Sequence, residues 1–212
     1  MNKTIKKSFP HMVDSNIELY ENFFTETDSD EYFHTLKQNI KWKQESMMLM
    51  GKSINFPRLT SWYGEKGLPY TFSGITLQPN DWLEMPTILD IKKQIEFESH
   101  GTVFNSVLLN KYKDGNNYIG WHSDQEKELG RDPVIASVTF GCDRIFRMRR
   151  YHDKKDVHDI TLSHGSLLVM SGRTQHYWQH MIPKQKIEAM PLLPQVKYQT
   201  ERINLTFRQI FK

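Results

Sequence analysis

Cysteine is nearly absent from this sequence. Its 212 residues include a single one, Cys142, which excludes an internal disulfide and a cysteine-rich zinc site. Stability must therefore come from an apolar core, and a chain of this length can bury a sizeable one. We expect a single domain over residues 1–212, folded in a reducing compartment.

Long hydrophobic runs are also missing. No stretch approaches the roughly eighteen apolar residues that span a membrane, and the opening MNKTIKKSFP lacks the apolar segment of a secretory signal. These two absences predict a soluble, intracellular protein with no membrane partner, cytoplasmic in a bacterium and nuclear in a eukaryote. A monomer is the expected state.

Neither sign of charge dominates. The 28 lysines and arginines exceed the 25 acidic residues by three, which allows a polyanionic partner without requiring one. One segment concentrates the basic residues and could bind phosphates, although a solvated strand end would have the same composition. Its members are Arg144, Arg147, Arg149, Arg150, Lys154 and Lys155.

Three candidate metal ligands stand out among the polar residues. His122 and Asp124 lie two residues apart in YIGWHSD, and His180 follows in WQHMIP. On an extended strand the first two would point to the same side. Two histidines and one carboxylate leave three metal positions open, as in non-haem Fe(II) oxygenases. Taken alone the motif is weak, since chance gives roughly half of one His-x-Asp in such a chain, and a zinc hydrolase could use the same residues.

A second pattern lies near the end of the chain, in RINLTFR. Arginine donates two parallel hydrogen bonds to a carboxylate and keeps its charge, so two arginines on one strand face suit a dicarboxylate such as 2-oxoglutarate. An ordinary surface strand would show the same alternation. Asn110 and Tyr112 share a face of another predicted strand and could bind the same ligand. The polar positions of the late strand are Arg202, Asn204, Thr206 and Arg208.

The predicted elements place helices before strands. One amphipathic helix begins at an N-cap at Asp28 and a second follows Pro86. From residue 103 onward, β-rich runs separated by turns predominate. This order predicts an α+β, mainly β fold, in which helices pack on one side of an antiparallel double sheet. The predicted strands are 103–112, 134–140, 145–149, 166–170 and 203–207.

Five segments together resemble the AlkB-type Fe(II)/2-oxoglutarate dioxygenases, which repair alkylated nucleic acids. They are NSVLLNKYKDGNNYIGWHSDQE, PVIASVTFG, HGSLLVMSG, HYWQHMIP and RINLTFRQI. The resemblance runs from about residue 50 to the C-terminus. It implies a double-stranded β-helix, or jelly-roll, over about residues 101–212, with helical support and a nucleotide-recognition lid over about residues 1–100.

The resemblance also implies cofactors and site residues. His122, Asp124 and His180 would hold Fe(II). O2 would be the second cosubstrate beside 2-oxoglutarate, for which the implied binding residues are Asn110, Tyr112, Arg202, Asn204, Thr206 and Arg208.

A further segment, FPRLTSWYGEKGLPYTFSGITLQP, is similar to the lid of the subgroup acting on duplex DNA. An enzyme that oxidises a base must first take it out of the stack, and aromatic side chains can hold it. Aromatic residues are, however, more often core than ligand contacts, and the stretch around Met50 could equally be a partly buried strand. The expected substrate contacts are Met50, Gly51, Lys52, Tyr70, Thr71, Phe72, Gln125 and Glu126.

The implied function is oxidative demethylation of DNA bases such as N1-methyladenine and N3-methylcytosine, with release of formaldehyde and succinate. Within the basic segment, Arg149 is expected to contact the DNA backbone. Two alternatives stay open at this point. They are an oxygenase acting on RNA or protein, and a non-catalytic metal-containing module that binds nucleic acid.

Overall fold

The computed structural model describes residues 3–72, 74–185 and 200–211. The helices are α1 (Glu26–Asn39), α2 (Pro86–Glu98) and the single-turn α3 (Thr174–Tyr177), with 3-10 turns at Trp82–Glu84 and Lys127–Leu129. The strands of the first half are β1 (Ile5–Ser8), β2 (Asn16–Glu21), β3 (Ser46–Leu49), β4 (Lys52–Asn55), β5 (Leu59–Gly64), β6 (Tyr70–Phe72), β7 (Ile75–Leu77) and β8 (Asn80–Asp81). Those of the second half are β9 (Ser106–Tyr112), β10 (Ile119–His122), β11 (Ile135–Gly141), β12 (Arg144–Arg150), β13 (Val157–Leu162), β14 (Ser166–Ser171), β15 (Trp178–Ile182) and β16 (Arg202–Arg208).

Two sheets form the body of the protein. The larger has eight strands in the order β1-β2-β14-β11-β16-β9-β5-β8, and the smaller has four in the order β10-β15-β12-β13. All pairings in them are antiparallel except that of β5 with β8. The mainly β jelly-roll expected from the sequence is therefore confirmed.

The predicted order of helices before strands is wrong. Strands β1 and β2 precede α1 and form one edge of the large sheet, while β5 and β8 form its other edge. Residues before 100 thus contribute half of that sheet as well as both long helices. Strands β1 (IKKS) and β2 (NIELYE) were not predicted because each is too short to show a clear alternation of polar and apolar residues. The pairing of β2 with β14, which is distant in the sequence, cannot be seen from the residues of β2 itself.

Both long helices lie where the sequence predicts them. The N-cap of α1 is Thr25 rather than Asp28: the Thr25 hydroxyl accepts from the Asp28 backbone N–H at 3.1 Å and donates to the Asp28 carboxylate at 2.7 Å. Asp28 therefore occupies the N3 position of α1, where its backbone N–H is capped by Thr25. Helix α2 begins at Pro86, whose ring fits the first helical turn. The helices bury Phe33, Leu36 and Ile88 against the large sheet.

Three apolar clusters divide the interior. One lies between the helices and the large sheet, a second between the two sheets, and a third under the segment that carries β3 to β7. Strand β16 is buried along its whole length, so the interpretation of its arginines as surface residues is wrong. Within the described ranges, no helix is both long and apolar enough to cross a membrane.

Candidate functional site

The first metal-ligand candidates lie at the end of the edge strand β10. His122 is the last residue of that strand and Asp124 lies beyond it, so the two do not share one continuous strand as predicted. The His122 Nδ1 lies 2.8 Å from the Gly120 carbonyl oxygen. A proton on Nδ1 would therefore be donated there, which leaves Nε2, 3.9 Å from the Asp124 carboxylate, as a free lone pair.

His180 joins these residues from β15. It is paired with His122 on one side and with Met148 of β12 on the other. The rings of His122 and His180 lie 4.2 Å apart, and Phe146 stacks on His180 at 5.0 Å. One ligand atom from each of His122, Asp124 and His180 lies within 4.8 Å of the others. The structure therefore brings the three predicted ligands together.

The protonation states suit a metal ion. Burial lowers the pKa of His180 to about 3 and also lowers that of His122. Burial alone would raise the pKa of Asp124, but Arg208 and the two histidines outweigh it and hold that pKa well below its usual value. At neutral pH the group thus offers two neutral imidazoles and one carboxylate, the donor set of a facial Fe(II) site.

Two residues hold the Asp124 loop in place. Arg208 Nη2 donates to the Asp124 carboxylate at 2.8 Å, and the Asp124 backbone N–H donates to the Gln175 side-chain oxygen at 2.9 Å. Gln175 is buried in α3, five residues before His180, so it connects the two ligand-bearing segments. Gln175 belongs to no sequence motif or alternating pattern, so the sequence alone did not indicate this role.

Arg202 is a buried cation without an acidic partner in the described chain. Its Nη2 donates to Thr139 Oγ1 at 2.9 Å, whereas Nε and Nη1 have no partner among the described residues. Register places it opposite Tyr112, whose ring lies 5.1 Å from the guanidinium. Burial lowers the pKa of Arg202 to about 10. A buried guanidinium in this condition is a site for an anion.

The other predicted 2-oxoglutarate residues surround the same cavity. Asn204 donates to Ser137 Oγ at 2.8 Å and accepts from the Thr206 hydroxyl at 3.1 Å. The Asn110 side-chain oxygen accepts from Arg58 Nε at 2.7 Å. Arg58 was missed from the sequence, although it lies in the quoted lid segment. Its burial beside Asn110 depends on the pairing of β5 with β9.

These residues line a cavity of about 590 Å³. Glu126 lies in its wall, with Oε2 buried and without a hydrogen-bond partner in the described part. Burial, followed by the charge of Asp124, raises the pKa of Glu126. Tyr70 stacks on Trp62 at 4.6 Å and interacts with Glu126. Trp62 is thus part of the apolar core, where aromatic side chains most often lie.

The remaining predicted substrate contacts take several positions. Met50 and Gly51 form the tip of the β3–β4 hairpin, where both have positive φ, and Lys52 follows them. Thr71 is exposed on the β6–β7 hairpin, and the side chain of Phe72 lies outside the described residues. Gln125, unlike its neighbour Glu126, does not line the cavity. Its side-chain amide donates instead to the Gln175 carbonyl of α3.

The basic segment does not form one free patch. Arg144 is buried and donates to the carbonyls of Asp114, Asn117 and Pro183. Arg147 is paired with Asp159 and Arg150 with Asp14. The prediction that this segment forms one phosphate-binding surface is therefore wrong for these three arginines. Arg149 differs, since within the described residues it donates to the neutral Gln179 side chain alone, and it lies over Trp121.

Comparisons with known proteins agree with this geometry. Residues 16–208 match the model of the 2OG-Fe(II) oxygenase superfamily. The chain is 40% identical over 205 residues to alpha-ketoglutarate-dependent dioxygenase alkB homolog 3 of Bos taurus, covering 93% of this chain and 67% of that protein. It is 37% identical over 201 residues to the DNA oxidative demethylase ALKBH2 of Mus musculus, covering 90% and 79%. Among solved structures, OsALKBH1 aligns over 91% of this chain and 96% of its own, with a TM-score of 0.59 and 17% identity, which supports the fold.

Proposed function

Because the chain belongs to the 2OG-Fe(II) oxygenase superfamily and is a dioxygenase, we propose that it oxidatively removes N-linked methyl groups from bases of DNA. One observation carries the proposal. The clustered His122, Asp124 and His180 line the same cavity as the buried Arg202 guanidinium and the Glu126 carboxylate. The first group fits a metal, the second a dicarboxylate and the third a polar base edge.

His122, Asp124 and His180 would hold Fe(II). The two imidazoles are neutral and the carboxylate is ionised, so the donor set fits this ion. Arg208 would keep Asp124 oriented through their buried ion pair. When bound, Fe(II), 2-oxoglutarate and O2 supply the oxidising power, and the protein supplies orientation and a shielded cavity.

For 2-oxoglutarate the two arginines of β16 would have different roles. Arg208 is already paired with Asp124, whereas Arg202 has two N–H donors without a described partner. Arg202 would therefore bind the carboxylate that is remote from the metal. Polar groups on β9 and β16 would complete the site, namely Asn110, Tyr112, Asn204 and Thr206.

The target base would lie against the lid. Glu126 would accept a hydrogen bond from an exocyclic amine or favour a cationic methylated base, and Tyr70 would bound the pocket beside it. Phe72 is proposed as the stacking partner, and Met50, Gly51 and Lys52 as the tip that enters the gap left by flipping. Thr71 and Gln125 would lie at the margin, and Arg149 would contact the backbone.

The proposed reaction balances as N–CH3 plus O2 plus 2-oxoglutarate giving N–H, formaldehyde, succinate and CO2. One oxygen atom enters succinate and the other enters the methyl group, whose hydroxymethyl product loses formaldehyde. N1-methyladenine and N3-methylcytosine both carry an exocyclic amine, so Glu126 could recognise either base. We also propose that residues 1–212 work as one monomeric catalytic domain.

The deciding experiment uses protein purified anaerobically and supplied with Fe(II), ascorbate, 2-oxoglutarate and O2. Oligonucleotides carrying N1-methyladenine, as single strands, duplexes and RNA, are followed by mass beside a methylated peptide. Restoration of adenine in DNA that requires 2-oxoglutarate supports the proposal. Asp124→Ala should abolish it, while Asp159→Ala, which removes a surface carboxylate paired with Arg147, should not.

Two results would contradict the proposal. Restoration confined to RNA or oxidation confined to the peptide would replace DNA as the substrate. Succinate formation without restoration of the base would keep the oxygenase activity and reject N1-methyladenine as its substrate.

A further inference from the structure

Two partly exposed aromatic residues of the β10 region line the cavity, and each lies beside a cation. Arg149 lies 4.2 Å from the centre of the Trp121 ring, and Lys184 lies 5.1 Å from that of Tyr118. Both rings belong to the cavity wall. We call Tyr118, Trp121, Arg149 and Lys184 the β10 rim.

The charges of the rim distinguish it from other surface pairs of this kind. Lys6 over Tyr20 is neutralised by Glu18, Lys92 over Trp82 by Glu96, and Arg150 over Trp178 by Asp14. Neither Arg149 nor Lys184 has an acidic partner within the residues that the structure describes. The rim therefore presents uncompensated positive charge together with aromatic surface.

One member of the rim, Arg149, is also oriented by a hydrogen-bonded neighbour next to a metal ligand. Gln179 accepts from Arg149 Nε at 3.0 Å and from Nη2 at 2.8 Å, which keeps the guanidinium over Trp121. Trp121 and Gln179 directly precede His122 and His180 in the chain. A polymer with one residue in the cavity would consequently have its neighbours within reach of the rim.

We propose that the β10 rim binds the nucleotides that flank the target base in the substrate strand. Their bases would pack against Trp121 and Tyr118, and their phosphates would pair with Arg149 and Lys184. Aromatic surface and cations in this combination bind unstacked nucleic acid with little regard for sequence. A methylated peptide offers neither the bases nor the phosphates. This inference rests on the proposed function, and it deepens it by assigning the contacts outside the pocket.

Binding of a fluorescent, unmethylated single-stranded dodecanucleotide, measured by anisotropy, tests the rim without any turnover. Trp121→Ala should weaken binding by about 5- to 150-fold, the usual effect of losing one stacked base. Trp121→Phe should recover most of it. Arg149→Gln should lower the slope of log affinity against log salt by about 0.7, the effect of one phosphate contact in a single strand.

The matched control is Arg147→Gln, on the same face of β12 but already paired with Asp159. It should leave both affinity and salt slope near the wild-type values. Thermal melts establish that each variant is folded. Turnover supplies a second readout: Trp121→Ala should reduce the ratio of kcat/KM for an N1-methyladenine dodecanucleotide to kcat/KM for the methylated mononucleotide.

The rim and the proposed function fail in different ways. Folded Trp121→Ala and Arg149→Gln variants with wild-type affinity and salt slope would overturn the rim, even if the wild type demethylates DNA. A wild type that binds the dodecanucleotide through the rim but restores no methylated base would overturn the demethylase proposal and leave the rim standing.

Discussion

At the scale of single residues, two buried arginines show how surroundings decide a role. Arg144 and Arg202 both lie beside the Tyr112 ring, at 5.4 and 5.1 Å. Arg144 donates to three backbone carbonyls, whereas Arg202 donates to Thr139 and keeps two nitrogen atoms, Nε and Nη1, without a partner among the described residues. The first is a structural cross-link, and the second is the residue that we propose binds an anion.

Replacing each arginine with methionine should therefore change stability in opposite directions. Arg202→Met removes an uncompensated buried charge, and we expect the free energy of unfolding of the ligand-free protein to rise by about 1–4 kcal/mol. Arg144→Met leaves carbonyls unsatisfied, and we expect a loss of about 1–3 kcal/mol. Urea unfolding measures both changes. Equal destabilisation by the two substitutions would contradict this view of Arg202.

The same Arg202→Met variant should bind 2-oxoglutarate at least about 30-fold more weakly, because losing one partner of a buried charge pair costs about 2 kcal/mol or more. Titration calorimetry in the presence of Mn(II) measures this affinity. Wild-type affinity in the variant would show that another residue binds the remote carboxylate.

The two histidine ligands lead to a prediction about protons. Ordinary histidines with pKa near 6.5 would be about three-quarters protonated at pH 6, so two would release about 1.5 protons on binding metal. Burial lowers the pKa of both His122 and His180, the latter to about 3. His180 should therefore release almost no proton and His122 fewer than an ordinary histidine, so we expect fewer than about 0.8 protons in total. Calorimetry with Co(II) at pH 6, in buffers of different ionisation enthalpy, counts the protons. Release of more than one would contradict the lowered pKa values.

Linkage extends this argument to stability. Because His180 has a pKa of about 3 in the folded protein, the unfolded state binds more protons below pH 6.5. The metal-free protein should therefore lose stability as pH falls from about 6.5 towards 3.

At the scale of elements, the β3–β4 hairpin is the clearest exposed feature near the cavity. Met50 at its tip is 96% exposed, and Met48 on the same hairpin is 69% exposed. Met47 and Ile54 lie in the cavity wall. An apolar tip in water has no stabilising role in the fold, which agrees with a role as a wedge between bases.

Met50→Ser should reduce kcat/KM on methylated duplex DNA by about 5- to 10-fold while changing single-strand activity less, since a wedge matters only where a stack must be opened. Stability should change by less than about 0.5 kcal/mol, as for most surface substitutions. Met48→Ser is the matched control. Equal losses on duplex and single strand would argue against the wedge.

At the scale of the whole molecule, the site exists because two sheets and a short helix meet. Strand β10 and the loop beyond it supply His122 and Asp124, β15 supplies His180, and β16 in the other sheet supplies Arg202 and Arg208. Ligands bound here would join both sheets. Binding should therefore stabilise the entire domain.

A thermal shift tests this coupling. Mn(II) and 2-oxoglutarate, each at about 100 times its Kd, should each add about 2.7 kcal/mol, which corresponds to roughly 5–10 °C for a domain of this size. Asp124→Asn should abolish the shift by Mn(II), and Asp159→Asn should retain it. An unchanged melting temperature of the wild type with both ligands would contradict the proposed site.

The sequence by itself determined those features that depend on spacing or on one residue type. The period of Ile88, Ile91 and Ile95 defined α2, and the alternation in RINLTFR defined β16. The three metal-ligand candidates could be named because few residue types bind Fe(II) and because their motifs resembled a known family. Such signals are local, so they survive in a sequence without knowledge of the fold.

Only the tertiary structure decided what each face of an element meets. The alternation of polar and apolar residues in β16 shows that its two faces meet different environments. Polar side chains suit both water and a polar cavity, so the pattern does not tell which of the two they face. Only the burial of β16 in the structure showed that they face a cavity. The same holds for Arg144, Arg58 and Gln175, whose partners are distant in sequence and are brought close by strand pairing and packing. Their roles depend on which polar groups are left unpaired after folding, and no periodicity along the chain records that.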